Sequence, residues 1–314
     1  MVGKTKIAII GGSSGDILVS TCKKLGYYSI LICGDETNRG YGAADENYLI
    51  DLVEKEKIVN IIKHNADCLL LGTGHALAHD IAKSVYDLGI VTSINPYKAE
   101  YGKNKILTYD FIRKIGFKTP DYFIINDLEQ LNRIDMSLPC VVKSEDDSVK
   151  TAKALTKEHL YQLVDENLLN GSRAIVESFI DGVEYTIPIV SDGETYVPLT
   201  DALKMRDISK IAVAKLRNFT SLDEKYDRFE LLDKNLINNI AYITTEITKK
   251  MELVGVPRYD LIVDSKKNIY ILEVNEVSVS RNGEGHYPWE EVGIDYAKEM
   301  IQNTVKLLKN RHKE

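Results

Sequence analysis

Short apolar runs alternate with stretches of helical period through residues 1–95. Lys6-Ile-Ala-Ile-Ile10 is apolar and closes on Gly11-Gly-Ser-Ser-Gly15, after which apolar positions recur at helical spacing to about Leu25. Tyr28–Cys33, Ala66–Leu71 and Gly89–Thr92 read as further strands, and an amphipathic helix follows Gly72-Thr-Gly-His75 and runs to about Leu88. Strand, helix and strand at this spacing predict a parallel sheet with helices on both faces.

The pattern changes near Lys103. A helix over 103–115 stops at Gly116 and is followed by a strand at Asp121–Ile125, a helix around 127–134, a strand at Leu138–Lys143 and a helix at about 156–168. Arg173–Glu177 and Glu184–Val190 are predicted strands, and 230–252 a long amphipathic helix. Tyr259–Val263 and Asn268–Val274 form a predicted hairpin, and a last helix covers roughly 294–310. The fold class is therefore α/β at the start and α+β afterwards.

Composition narrows the function classes. The chain has 314 residues, 44% hydrophobic and 28% charged, with a formal charge of −7. That is an ordinary globular composition for two or three domains. An acidic balance argues against a general nucleic-acid binder, which needs a basic stripe to displace phosphate counterions. No apolar run approaches the ~20 residues that span a bilayer, and no signal-peptide pattern opens the sequence. Cys22, Cys33, Cys68 and Cys140 sit in apolar stretches without a Cys-x-x-Cys pair, so free buried thiols in a cytoplasmic setting are expected.

Candidate chemistry lies in two places. Gly11–Gly15 joins a strand to a helix, where backbone N–H groups and the helix dipole favour an anion; the same glycines serve equally for a tight turn. The spacing is not Gly-x-Gly-x-x-Gly, although Asp35 stands about 20 residues on, where dinucleotide sites place a ribose-binding acid. The stronger constellation is Arg258-Tyr-Asp260 with Glu273-Val-Asn275. Across a hairpin Asp260 and Glu273 can face one another, and Glu273 and Asn275, two apart, share one face. Two carboxylates and an amide oxygen are hard ligands of the kind that suit Mg²⁺. The alternative is a solvated polar face, but Glu273 interrupts the apolar run Ile269–Val274, where an acid needs a partner. His75 and His79 lack a third ligand and are expected to be surface or core histidines.

The Asp-x12-Glu-x-Asn spacing, with Arg258 two residues before Asp260, resembles the magnesium motif of the ATP-grasp superfamily. D-alanine–D-alanine ligases are the nearest comparison, with biotin carboxylase and carbamoyl-phosphate synthase further off. Lys105, eleven residues before Gly116, resembles the lysine that opens the family's nucleotide-binding domain. Lys143, ending Pro139-Cys-Val-Val-Lys, resembles the second lysine, which reaches the phosphates and the adenine edge. Glu177-Ser-Phe-Ile-Asp-Gly-Val-Glu184 resembles the hinge strand. There the resemblance implies that Glu177 and the backbone at Phe179 and Ile180 read adenine, and that Glu184 holds the ribose. Asp16 stands where an acid holds the substrate amine. Arg258 would hold the tetrahedral intermediate or departing phosphate.

Two segments depart from the family. Lys143 is followed by Ser144-Glu-Asp-Asp-Ser-Val-Lys150, which has no glycine and three acids where a glycine-rich phosphate loop is usual. After Asn275 the run Glu276-Val-Ser-Val-Ser-Arg281 is closer to carbamoyl-phosphate synthase than to the Pro-Gly turn of D-alanine ligases. Arg281 is expected to face substrate or phosphate. Lys215, on a substrate-covering segment with Lys210 and Arg217, is expected to reach the γ-phosphate.

The resemblance implies an ATP-grasp fold: a Rossmann-like lobe at 1–95, a small central lobe at 96–185 and a C-terminal lobe at 186–314. ATP and Mg²⁺ (or Mn²⁺) would be clasped between the last two. It implies a ligase joining a small carboxylate to an amine through an acyl phosphate, without nucleic-acid or membrane partners and compatible with a homodimer. Two other readings stand beside it: a nucleotide-sensing protein, motivated by the acids at 145–147, and a nicotinamide-dependent oxidoreductase using Gly11–Gly15 and Asp35.

Overall fold

The computed structural model describes residues 4–145, 149–194, 196–198, 203–205, 226–227, 234–276 and 295–311. Four of the first apolar runs and one polar segment make a parallel sheet. Its order is Glu46–Leu49, Tyr28–Cys33, Lys6–Ile10, Cys68–Leu71 and Val91–Thr92. In its central strand Ile7, Ile9 and Ile10 are fully buried, the unbroken burial expected of a parallel strand covered on both faces. Alternate residues divide between two cores. Ile7, Ile9, Leu31 and Leu70 face the helices Gly15–Lys24 and Tyr296–Arg311, whereas Ala8, Ile10, Ile32 and Leu69 face Lys55–Asn65 and Ala76–Asp87. The edge strand Glu46–Leu49 and the helix Lys55–Asn65 have no counterpart in the sequence reading. Glu-Asn-Tyr-Leu is no apolar run, and the helix buries only Ile58 and Ile62.

The final helix, Tyr296–Arg311, crosses back to this first sheet. Tyr296, Ala297, Met300, Ile301 and Val305 recur at helical spacing and are buried against it.

The second sheet is small and antiparallel, in the order Tyr122–Ile125, Ala174–Ser178, Cys140–Ser144 and Ala152–Ala154. Helix Lys157–Leu169 covers one face through Leu160 and Val164. The helix expected around 127–134 is a short 3₁₀ turn, Leu128–Asn132, started by the Asp127 side chain accepting from the Gln130 N–H.

The third sheet is built on Gly182–Ser191, Arg258–Asp264 and Ile269–Asn275, all antiparallel, with Tyr196–Pro198, Leu203–Met205 and Tyr226–Asp227 beside Gly182–Ser191 or beyond it. Helix Lys234–Lys250 packs Leu236, Ile240 and Ile247 onto one face, against Tyr185, Ile187, Tyr259 and Leu261. The strand Gly182–Ser191 runs without a break across position 185/186.

All four cysteines are free and buried. Burial, with a smaller effect of Asp45, pushes the Cys22 thiol from 9.0 up to about 12, and burial pushes Cys140 from 9.0 to about 11. A raised folded-state pKa means that the folded chain keeps protons the unfolded chain gives up, so stability is full below pH 9.0 and declines as pH rises towards these values. The urea midpoint is therefore expected to fall between about pH 8 and about pH 10.5, and to fall less in a Cys22→Ala variant. A midpoint that does not move over this range contradicts the assignment.

Candidate functional site

One face of the third sheet collects the polar residues. Along Arg258–Asp264 burial alternates strictly, with Tyr259, Leu261 and Val263 in the core and Arg258 and Asp260 on the other face. The neighbouring strand holds this alternation only in part. Val263↔Ile269, Ile262↔Tyr270 and Leu261↔Ile271 are paired, but Asp260 pairs with Glu273, so Leu272 is an extra residue, a β-bulge. Because side chains alternate with period two, the bulge transfers Glu273 and Asn275 from the core face to the face of Arg258 and Asp260. An unbroken hairpin would set Asp260 opposite Leu272 and turn Glu273 into the core.

On that face Arg258 Nη2 donates to Asp260 Oδ2 at 2.9 Å, and Thr186 Oγ1 donates to Asp260 Oδ1 at 2.9 Å. The Asn275 amide meets its neighbours with its oxygen accepting from Arg258 Nη2 at 3.0 Å and its nitrogen donating to Glu273 Oε1 at 3.2 Å. The oxygens of Asp260 and Asn275 thus converge on a positive charge. Two carboxylates and an amide oxygen on one rigid face fit a hard divalent cation by donor chemistry. Among the described residues no cluster of three or more His, Cys, Asp and Glu comes together. Glu184, two residues before Thr186, pairs with Ile262 and so lies on the same face. Thr186 was not singled out from the sequence. Its signal was its place two residues after Glu184 in a strand.

A second cluster adjoins the first through the small sheet. Val141 pairs with Glu177 and Lys143 with Ile175, which makes Lys143 and Glu177 diagonal neighbours on one face. Lys143 Nζ lies 2.8 Å from Glu177 Oε2, with side-chain exposures of 10% and 2%. Tyr109, fully buried on helix Lys105–Lys114, completes the group. It receives a hydrogen bond from Lys143 Nζ at 3.0 Å, and its Oη lies 2.9 Å from both Glu177 Oε1 and the Leu272 carbonyl. Burial alone disfavours the Lys143 ammonium, but the Glu177 charge and Tyr109 outweigh it and raise its pKa above the ordinary lysine value. Phe179, just beyond Glu177, carries Lys153 Nζ over its ring at 3.4 Å from the centroid, a cation–π contact. Ile180 follows it, half-buried.

Lys105 is the first residue of its helix and is 7% exposed. Asn104 caps that helix, its Oδ1 accepting from the N–H groups of Ile106 and Leu107 at 3.1 Å. The same amide donates from Nδ2 to Glu145 Oε1 at 2.9 Å, and Arg173 clamps Glu145 with two bonds of 2.6 Å. The first of the three acids after Lys143 is therefore neutralised and tied to the helix that starts with Lys105. Ser144 Oγ, hydrogen-bonded to the N–H and carbonyl of Val149, closes the base of the segment. Asp146 and Asp147 lie outside the described residues, as do Lys215 and Arg281.

The first sheet and its helices contribute differently. Asp16 stands in the first turn of Gly15–Lys24, where its Oδ1 accepts from the Ile17 N–H, and so belongs to another sheet than the clusters above. A Cβ on Gly12 would meet the Gly72 carbonyl at 2.4 Å, and one on Gly15 the Arg39 carbonyl at 2.4 Å, so these glycines permit neighbouring loops to close in. The Asp35 carboxylate is occupied locally by the N–H and hydroxyl of Thr37. His75 and His79 do not act as a pair. His75 caps its helix by accepting from Leu77 N–H, and His79 lies buried 3.8 Å from Glu276 Oε1. Glu276, the residue after Asn275, presses against helix Ala99–Lys103, where a Cβ on Gly102 would fall 1.5 Å from its Oε2.

Residues 109–305 match the family described as D-ala D-ala ligase C-terminus. The chain is 27% identical over 211 residues to a D-alanine–D-alanine ligase of Marinomonas sp. (strain MWYL1), covering 66% of this chain and 65% of that protein. The chain thus spans just under two thirds of that relative's length. Among solved structures, N5-carboxyaminoimidazole ribonucleotide synthetase from Thermotoga maritima is similar with a TM-score of 0.76 at 19% identity, over 96% of this chain and 76% of that one. D-alanine–D-alanine ligase from Bacillus anthracis complexed with ATP gives 0.68 at 20% identity, over 98% of this chain and 99% of that one.

The buried ion pair yields a stability prediction. Lys143→Met keeps the volume but leaves the Glu177 carboxylate buried without its cation, a loss of about 3–5 kcal/mol. Denaturant unfolding should show it as a lowered midpoint with an unchanged slope; a midpoint equal to wild type would mean that the pair is not buried as described.

Proposed function

This chain belongs to the D-ala D-ala ligase C-terminus family and has the ATP-grasp fold, and from that premise we propose that it is an ATP-dependent carboxylate–amine ligase working through an acyl phosphate. Its substrate would be an amino acid or a similar small molecule. The observation that carries this reading is the bulged hairpin, which sets Arg258, Asp260, Glu273 and Asn275 on one face beside Glu184 and Thr186. In the proposal three lobes divide near residues 95 and 185, with helix Tyr296–Arg311 returned to the first.

The substrate carboxylate takes the γ-phosphoryl group of ATP, releasing ADP. The amine then attacks the acyl carbon, phosphate departs and the amine gives up a proton. Phosphoryl transfer of this kind needs positioning and charge neutralisation more than covalent help from the protein. Lys105 and Lys143 face the phosphates. Glu177 with the backbone of Phe179 and Ile180 reads the base, and Glu184 holds the ribose. Asp260, Glu273 and Asn275 hold Mg²⁺ or Mn²⁺, which when bound neutralises charge on the phosphate oxygens. Arg258 steadies the departing phosphate, with Arg281 and Lys215 assigned to the same centre and Asp16 to the substrate amine.

The other two readings are not favoured. Asp35 Oδ1 accepts from the N–H and hydroxyl of Thr37, and family membership does not favour a nicotinamide enzyme. The sensor reading rested on the acids after Lys143, and Arg173 neutralises the first of them. Among the described residues no helix is long and apolar enough to cross a membrane.

The test incubates the protein with Mg²⁺, ATP and pools of amino acids and carboxylic acids and follows ADP and phosphate. Release that requires both a carboxylate and an amine is expected, and Glu273→Gln should lower the rate about a hundredfold or more. ATP binding without turnover in any pool, or full activity in Glu273→Gln, would refute the proposal.

A further inference from the structure

Tyr109 occupies a position that none of the family-like motifs includes. Its hydroxyl is in contact with Lys143, with Glu177 and with the bulge that shapes the metal-facing strand. We infer that Tyr109 is a positioning residue for base discrimination: it locks Glu177 as a fixed acceptor, so that the nucleotide subsite selects a purine carrying a 6-amino group. The inference rests on the proposed reading in which Glu177 faces the base.

The chemistry runs from hydrogen-bond capacity. A carboxylate in an ion pair offers acceptor positions only. Glu177 Oε2 is held from one side by Lys143 at 2.8 Å and Oε1 from the other by Tyr109 at 2.9 Å. The terminal torsion of a glutamate is otherwise broad, with no sharp staggered preference, so two donors on opposite oxygens are what fix its plane. The tyrosine is itself fixed. Its ring is fully buried and in contact with the Tyr122 ring, at 5.3 Å between centroids. Burial and the Glu177 charge push its phenol well above the ordinary tyrosine value, so it keeps the proton it donates.

That single proton has two acceptors within 2.9 Å, Glu177 Oε1 and the Leu272 carbonyl. Leu272 is the bulged residue, and a bulge interrupts the regular bonding of the ladder. The hydroxyl thus registers the base-facing acid against the strand that carries Glu273. A fixed acceptor welcomes a base edge that donates, as a 6-amino group does. It repels one that accepts, as a 6-keto group does, because a buried acceptor facing an acceptor leaves both unpaired.

The experiment titrates ATP and inosine triphosphate separately into wild type and Tyr109→Phe by calorimetry, with a thermal melt of each protein. Wild type is expected to favour ATP. In Tyr109→Phe the ATP affinity should drop about tenfold, as for loss of one hydrogen bond to a charged group, while inosine triphosphate changes little, so that the preference narrows. Equal losses for both nucleotides would point to a merely structural role and overturn the inference. So would an unchanged preference in a folded variant. Tyr109→Met, which also fills the space without a hydroxyl, gives the same reading should the phenylalanine variant not fold. If wild type binds neither nucleotide, the ligase reading fails and this inference with it; ATP binding with an unaltered preference overturns the role of Tyr109 alone.

Discussion

The candidate site depends on one extra residue in one strand. Leu272 shifts the register of the hairpin between Asp260 and Leu261, and the strand's burial changes phase there, from alternating Ile269 and Ile271 to two half-buried residues and then Val274. Without the shift Glu273 would point into the apolar layer formed with helix Lys234–Lys250, where an unpaired carboxylate is very costly. With it, Asp260 and Glu273 stand directly opposite one another. Like charges in that position repel, and the same face supplies the answer in Arg258, Thr186 and Asn275. The arrangement concentrates negative charge while keeping the Arg258 guanidinium at its centre.

The bulge in turn is anchored from outside its sheet. Tyr109 comes from a helix that precedes the small sheet in the chain, yet its hydroxyl reaches the Leu272 carbonyl as well as Lys143 and Glu177. A buried ion pair adds little by itself, since desolvation offsets most of the attraction, but removing either partner exposes the full cost. Such a group gives the site definition rather than surplus stability. The Glu145–Arg173–Asn104 contacts work in the same manner: they make an acid into a tie between the small sheet and the helix that starts with Lys105.

Contacts between the sheets complete the frame. Glu276 carries the strand end of Asn275 into a recess between His79 and Gly102, and the recess exists because residue 102 has no side chain. Helix Tyr296–Arg311 closes the first sheet, and its Lys306 pairs with Asp192 at the end of Gly182–Ser191. These contacts tie elements around the first sheet to the third sheet.

Hydrophobic periodicity was enough to place most strands and helices, because each is encoded by neighbouring residues: Lys6–Ile10, Tyr28–Cys33, the final hairpin and the long helix before it all follow from period two or period 3.6. The carboxylates, lysines and arginine proposed for the site were named from their order and spacing, which one dimension preserves. Sequence missed the polar edge strand Glu46–Leu49 and the thinly apolar helix Lys55–Asn65, where the pattern is weak. It also had no means of finding what distant segments do to one another. Whether Glu273 faces the core or the opposite side of the sheet turned on a bulge that the Asp-x12-Glu spacing permits but does not display. Tyr109 and Leu272, partners across 163 positions, and Arg173 and Glu145, across 28, are joined only when the chain folds. Local pattern decided which elements form and which chemistry they carry. Tertiary packing decided which face that chemistry looks out from, because burial of an unpaired charge is penalised only once there is an interior to bury it in.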